Sequence, residues 1–210
     1  MTVTLSVAGS ELRQLQKRRK LVLLAVIWLF VVLLLLTRSR WIEEAPNLYA
    51  LIKQTGIALI LLCVLGRTWC TLYIGGHKKR ALITCGPYSL ARNPLYLFTS
   101  IGAAGAGAQA GSLAALALAG AATLAVFHLV VRREEAFLME TFPAEYAAYR
   151  ARVPRYLPRL AWRDADELII KPRLVLRTFF DGLLMLAAAP IAEAIGWLHS
   201  DGCLLLASLP

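Results

Sequence analysis

Two polar stretches of this chain hold residue types that can act on a ligand: Arg92-Asn93-Pro94-Leu95-Tyr96, and further along Arg132-Arg133-Glu134-Glu135. Proline at the first position of a helix pre-sets φ and lacks only an amide hydrogen that would go unsatisfied there, so Asn93-Pro94 predicts a helix start. Gly86-Pro87 predicts a turn just before it. Arg92 and Asn93 then stand beside the free amide groups of that start, a place suited to an anionic group. Arg92 adds a planar fork of donors that matches a carboxylate or phosphate. Glu134 and Glu135 are the obvious bases at such a site if the acceptor is an amine that must lose a proton. The same Arg-Glu clusters also read as ordinary interfacial anchors at helix ends.

Metal chemistry is not indicated. Cys63, Cys70, Cys85 and Cys203 show no CxxC pairing, and His77, His128 and His199 are scattered.

The elements that must position these residues are written in the apolar runs. The 210 residues are 59% apolar and only 17% charged, which excludes a disordered chain and a disulfide-stapled miniprotein. The predicted fold is all-α, an integral membrane helical bundle forming one domain over 1–210. About five spans are expected, at about 21–37, 48–66, 95–110, 112–131 and 179–199. The basic prelude Lys17-Arg18-Arg19-Lys20 resembles a secretory signal, but no small-residue cleavage site follows the first run, so a retained anchor is expected. The break at Gln109-Ala110-Gly111-Ser112 predicts a tight helical hairpin over 95–131. Small residues such as Gly102, Ala106 and Ala110 would let its helices pack closely. Glycine-lined faces permit self-association without requiring it.

The net charge of +10 would suggest nucleic acid on a soluble protein. Here all basic residues but Arg38, Arg40 and Lys53 fall on one side of the expected spans. The positive-inside rule therefore predicts a cytoplasmic amino terminus, an outside carboxyl terminus and no nucleic-acid partner. Both polar stretches, 79–96 and 132–158, then share the cytoplasmic mouth of the hairpin. Phe142, Tyr146, Tyr149 and Val153 recur at helical spacing and predict an aromatic face able to cover a pocket. Lys53 is expected to snorkel to the headgroups, and Asp181 and Glu193 to be helix-end charges or members of a polar path.

These stretches resemble the isoprenylcysteine carboxyl methyltransferase and phospholipid methyltransferase family of integral membrane methyltransferases. The matching elements are Leu82-Ile83-Thr84-Cys85-Gly86-Pro87-Tyr88, Arg92-Asn93-Pro94-Leu95-Tyr96, Glu134-Glu135, Tyr146-Ala147-Ala148-Tyr149 and Val153-Pro154. The resemblance implies S-adenosylmethionine as cofactor, contacted by Arg80, Ala81, Leu82, Ile83, Tyr88, Asn93, Pro94, Leu95, Tyr96 and Glu134. The candidate catalytic residues at such a site are Arg92, Arg133, Glu134 and Glu135: Arg92 and Arg133 to orient an acidic, lipophilic acceptor, Glu134 or Glu135 as base for an amine. Arg80 and Asn93 stand where the family often has histidine, and Pro143 replaces a glycine. Asn93 keeps hydrogen bonding but cannot titrate near neutral pH. O-methylation of a lipid-linked carboxylate or other oxygen anion leads. Phospholipid N-methylation, thiol S-methylation, and a transporter or scaffold without chemistry are the alternatives.

Overall fold

The structure, a computed structural model, describes residues 37–74, 81–165, 167–168, 170–200 and 207–209. The expected first span at 21–37 lies almost wholly outside the described residues. The described chain is helical apart from one short parallel pair, β1 (Thr37–Ser39) against β2 (Ala207–Leu209). A short α1 (Trp41–Glu44) leads into α2 (Pro46–Ile74). The single-turn α3 (Pro87–Leu90) precedes the hairpin of α4 (Pro94–Ala108) and α5 (Leu113–Thr141). α6 (Pro143–Arg152) follows at once. α7 (Pro172–Leu183), a 3-10 turn (Leu184–Ala187) and α8 (Ala188–Ser200) complete the bundle.

Three of these helical stretches are long and apolar enough to cross a membrane: Pro46–Ile74, Leu113–Thr141 and Pro172–Trp197. They contain the expected span at 48–66 and nearly all of those at 112–131 and 179–199. The expected span at 95–110 forms α4, whose 15 residues rise only about 22 Å, short of a bilayer core of about 30 Å. It stops because Gly111 takes φ +66° to turn the chain, and Ser112 then caps α5 by accepting from the Ala115 amide at 3.2 Å. α5 is twice as long and runs on through Arg132–Glu135, which therefore belong to the helix and not to a loop after it. In the last stretch, Pro190 has no amide hydrogen for the Leu186 carbonyl, and the helix tightens to a 3-10 turn at that level.

Small residues let α4 lie pressed between its neighbours. A side chain on Gly105 would bring Cβ to 2.6 Å from the Gly56 carbonyl oxygen of α2, and one on Gly107 to 2.5 Å from that of Ala115 in α5. Gly105→Val is expected to lower stability by about 1–3 kcal/mol through overpacking, measured as a lower thermal unfolding midpoint in detergent. At the hairpin turn, Ser39 Oγ donates to the Gly111 carbonyl at 2.7 Å and Gln109 Nε2 to the Lys53 carbonyl at 3.0 Å. The Lys53 ammonium pairs with Glu193 of α8, and Asp181 pairs with Arg177 one turn away at 3.8 Å. Both acidic residues of the last stretch thus have basic partners, Glu193 across to α2 and Asp181 within its own helix.

Candidate active site

At the opposite end of the hairpin, the first turn of α4 meets the overhanging end of α5. The Tyr96 ring packs on Phe127 with centroids 4.7 Å apart and over buried Val131. Its hydroxyl donates to Glu134 Oε1 at 2.8 Å. One residue on, Glu135 turns to the other side of α5 and is buried. It accepts from Asn93 Nδ2 at 2.9 Å, Arg92 Nε at 3.2 Å and Arg155 Nη2 at 2.8 Å. Adjacent carboxylates therefore have separate surroundings, one exposed and held by a phenol, the other buried between two guanidinium groups.

Arg92 is almost fully engaged. Besides Glu135, its Nη1 donates to the carbonyls of Val153 at 2.9 Å and Arg150 at 3.1 Å, and its side chain is 8% exposed. This guanidinium ties α4, α5 and the end of α6 together. Arg133 is exposed on α5.

The chain after α6 closes the site from outside. It runs antiparallel to residues 86–93: the Arg92 amide donates to the Pro154 carbonyl at 2.8 Å, Arg159 to Leu90 at 3.0 Å, and Gly86 to Arg163 at 2.8 Å. Stacked rings of Trp69 and Trp162, 5.7 Å apart, fasten this strap to α2. Gly86 holds φ +58° with the Tyr73 ring in the place of a side chain, so only glycine fits there.

The expected aromatic face of α6 turns inward. Tyr146, Tyr149 and Val153 are buried with Leu82, Leu138, Met139 and Phe142 around them. Tyr149 donates its hydroxyl to the Tyr88 carbonyl at 2.7 Å. Tyr149→Phe would strand that buried carbonyl and is expected to cost about 1–3 kcal/mol, read as a lower unfolding midpoint. Tyr88 is buried and its own hydroxyl has no hydrogen-bond partner among the described residues. Burial holds this phenol well above its usual range, and Tyr96 and Glu134 are among the groups whose charge it feels. It stays a protonated donor in the Cys70–Tyr73–Tyr88 cluster, within electrostatic reach of Tyr96 and Glu134.

Of the residues expected to contact a cofactor, Tyr88, Asn93, Pro94 and Tyr96 are buried here, Leu82, Ile83 and Leu95 are half-buried, and Ala81 and Glu134 are exposed. Ile83 and Leu95 pack on the Cys70–Tyr73–Tyr88 cluster, which places them beside the unpartnered phenol. Arg80 lies outside the described residues. Sequence reasoning assigned no role to Arg155, the second guanidinium on Glu135, although it directly follows Val153-Pro154. Among the described residues no three His, Cys, Asp or Glu side chains come together as a metal would require.

The phospholipid methyltransferase family model matches residues 48–145, from α2 through the hairpin into α6. A cobalt-zinc-cadmium resistance protein, CzcN, of Cupriavidus metallidurans is 35% identical over 172 residues, covering 81% of this chain and 78% of that protein. The chain belongs to the phospholipid methyltransferase family of membrane methyltransferases. A nickel-cobalt-cadmium resistance protein, NccN, of Alcaligenes xylosoxydans xylosoxydans is 30% identical over 190 residues, covering 90% of this chain and 88% of that protein. No solved structure matches the chain. The family match ends within α6, so Arg155 and the strap up to Arg163 lie beyond it.

Proposed function

We propose that this protein is an S-adenosylmethionine-dependent methyltransferase that modifies a lipophilic acceptor at the cytoplasmic mouth of its hairpin. The observation that carries this reading is the buried Tyr88 phenol, left without a hydrogen-bond partner among the described residues and within electrostatic reach of the Tyr96–Glu134 pair. A buried hydroxyl ordinarily finds a partner, so an orphan next to a polar cluster fits a ligand.

Tyr88, Tyr96 and Glu134 would supply polar contacts to the cofactor, with Leu82, Ile83, Pro94 and Leu95 giving an apolar wall and Arg80 and Ala81 the approach. Bound there, S-adenosylmethionine would supply a methyl group already activated by its sulfonium. Glu134 is the carboxylate available to face a positive centre. Arg133, exposed one position before it, is available to steer an acidic acceptor. Arg92 and Glu135 are positioning residues: their pairing fixes the first turn of α4 against α5, which sets where Tyr96 and Glu134 meet. Alignment and exclusion of water do most of the work for an acceptor oxygen already ionised at pH 7. Asn93 donates to Glu135 and has no proton to exchange at that pH.

Calorimetry of purified protein with S-adenosylmethionine tests the reading, followed by incubation of membranes with methyl-labelled cofactor. Saturable heat and label in an extractable lipophilic product are expected. Absence of heat from protein shown to be folded overturns it. Label recovered as a base-labile ester indicates an oxygen acceptor; label on nitrogen or sulfur assigns the N- or S-methylation alternative.

The names of the relatives concern resistance to cobalt, zinc, cadmium and nickel. A part for this protein in such resistance would run through the methylated product. Complementation of a metal-sensitive deletion strain by wild type but not by Glu134→Ala is the expected result.

A further inference from the structure

Beside the candidate active site lies a cleft of different composition. Between the end of α5 and α6 a cleft of about 210 Å³ is lined by Arg132, Glu135, Met139, Tyr146, Arg150 and Arg155 among others. Ligand pockets for drug-sized molecules run from about 300 Å³ upward, so this cleft is too small for a nucleoside cofactor and fits a compact group. None of the residues expected to contact the cofactor lines it except at one remove, through Glu135.

Its charge balance is one-sided. The carboxylate in the cleft, Glu135, is already matched by Arg92 at 3.2 Å and Arg155 at 2.8 Å. Arg132 and Arg150 have no carboxylate within ion-pair distance among the described residues. The cleft therefore presents two unmatched guanidinium groups.

A second, independent observation points the same way. Tyr146 is 1% exposed, and its hydroxyl has no hydrogen-bond partner among the described residues. Burial pushes this phenol up to about 12, so it stays a donor, and the charges of Glu135, Arg92, Arg150 and Arg155 all act on it. Three residues on, Tyr149 shows how a satisfied phenol in the same helix behaves, with a carbonyl at 2.7 Å. A buried donor without an acceptor, beside two unmatched arginines, matches an oxygen-rich anion that would accept from all three.

We propose that this cleft binds a phosphate group, held by Arg132, Arg150 and the Tyr146 hydroxyl. The phosphate has two possible sources, an anionic lipid headgroup at the membrane surface or a soluble phosphate, and basic pockets at the cytoplasmic ends of membrane helices suit the first. The cleft shares Glu135 with the candidate active site, but the three groups proposed to hold phosphate have no part in the methyl-transfer reading, and the proposal does not rest on it.

The test follows thermal unfolding of the full chain in neutral detergent. Inorganic phosphate is titrated against chloride at matched ionic strength, and micelles doped with phosphatidylglycerol are compared with micelles doped with phosphatidylcholine. Wild type is expected to be stabilised saturably by at least one phosphate probe. Response to phosphatidylglycerol alone assigns the headgroup; response to inorganic phosphate assigns the soluble source. Arg132→Gln/Arg150→Gln, two exposed changes, should weaken the apparent affinity about tenfold or more, as loss of charge-assisted hydrogen bonds does. Tyr146→Phe removes a hydroxyl that the protein itself does not use, so its midpoint without phosphate should not fall, while its response to phosphate should weaken similarly. No response in wild type above matched chloride overturns the site, as does a response that survives either variant undiminished.

Discussion

Glu135→Ala should leave little folded protein. The carboxylate is 9% exposed and faces Arg92, which is 8% exposed, so its removal leaves a largely buried guanidinium without its counter-charge. Breaking a buried pair by deleting one partner costs about 3–5 kcal/mol, a large share of the stability of an ordinary domain. Arg155, a third exposed, can swing into solvent and soften part of the loss. Asn93 loses its acceptor at the same time. Size-exclusion profiles and unfolding midpoints in detergent should show aggregation or a steep drop, with Glu135→Gln intermediate because it still accepts hydrogen bonds. A Glu135→Ala protein as stable as wild type would show that the bonds it makes are incidental.

Glu134→Ala should give the opposite pattern. This side chain is exposed at the surface of the bundle, so the midpoint should barely move. Turnover with labelled S-adenosylmethionine should fall by about 10²-fold, the scale expected when a group that fixes the reacting partners is misplaced or lost. Tyr96→Phe removes only the hydroxyl that orients Glu134 and should fall less, about tenfold. Turnover within twofold of wild type in Glu134→Ala would remove this carboxylate from the mechanism. Adjacent glutamates, one governing folding and the other turnover, make the pair self-controlling.

The hairpin was legible because its signals are local. Asn93-Pro94 sets one end, Gly111-Ser112 the other, and the apolar period between them needs no knowledge of distant chain. The meeting of the two polar stretches followed from the hairpin alone. Its detail did not, because which of two neighbouring carboxylates faces inward depends on the rotation of α5 against α4, fixed by Tyr96 on Phe127 and Val131. Arg92 read as a free anion-binding group for the same reason: its acceptors at Arg150 and Val153 are carbonyls, which carry no side-chain signature. The expected segment at 95–110 forms as α4, Pro94–Ala108, closed by the glycine turn that follows it.

The strap that pairs residues 154–163 with residues 86–93 also orders events during synthesis. The turn at Gly86 is made long before Arg163, whose carbonyl it needs. At about 5–20 residues per second, the interval amounts to several seconds on the ribosome. A chain ending at the end of α6 would hold both helices of the hairpin yet would lack the outer wall of the mouth, so the candidate site is completed only when translation has passed that point.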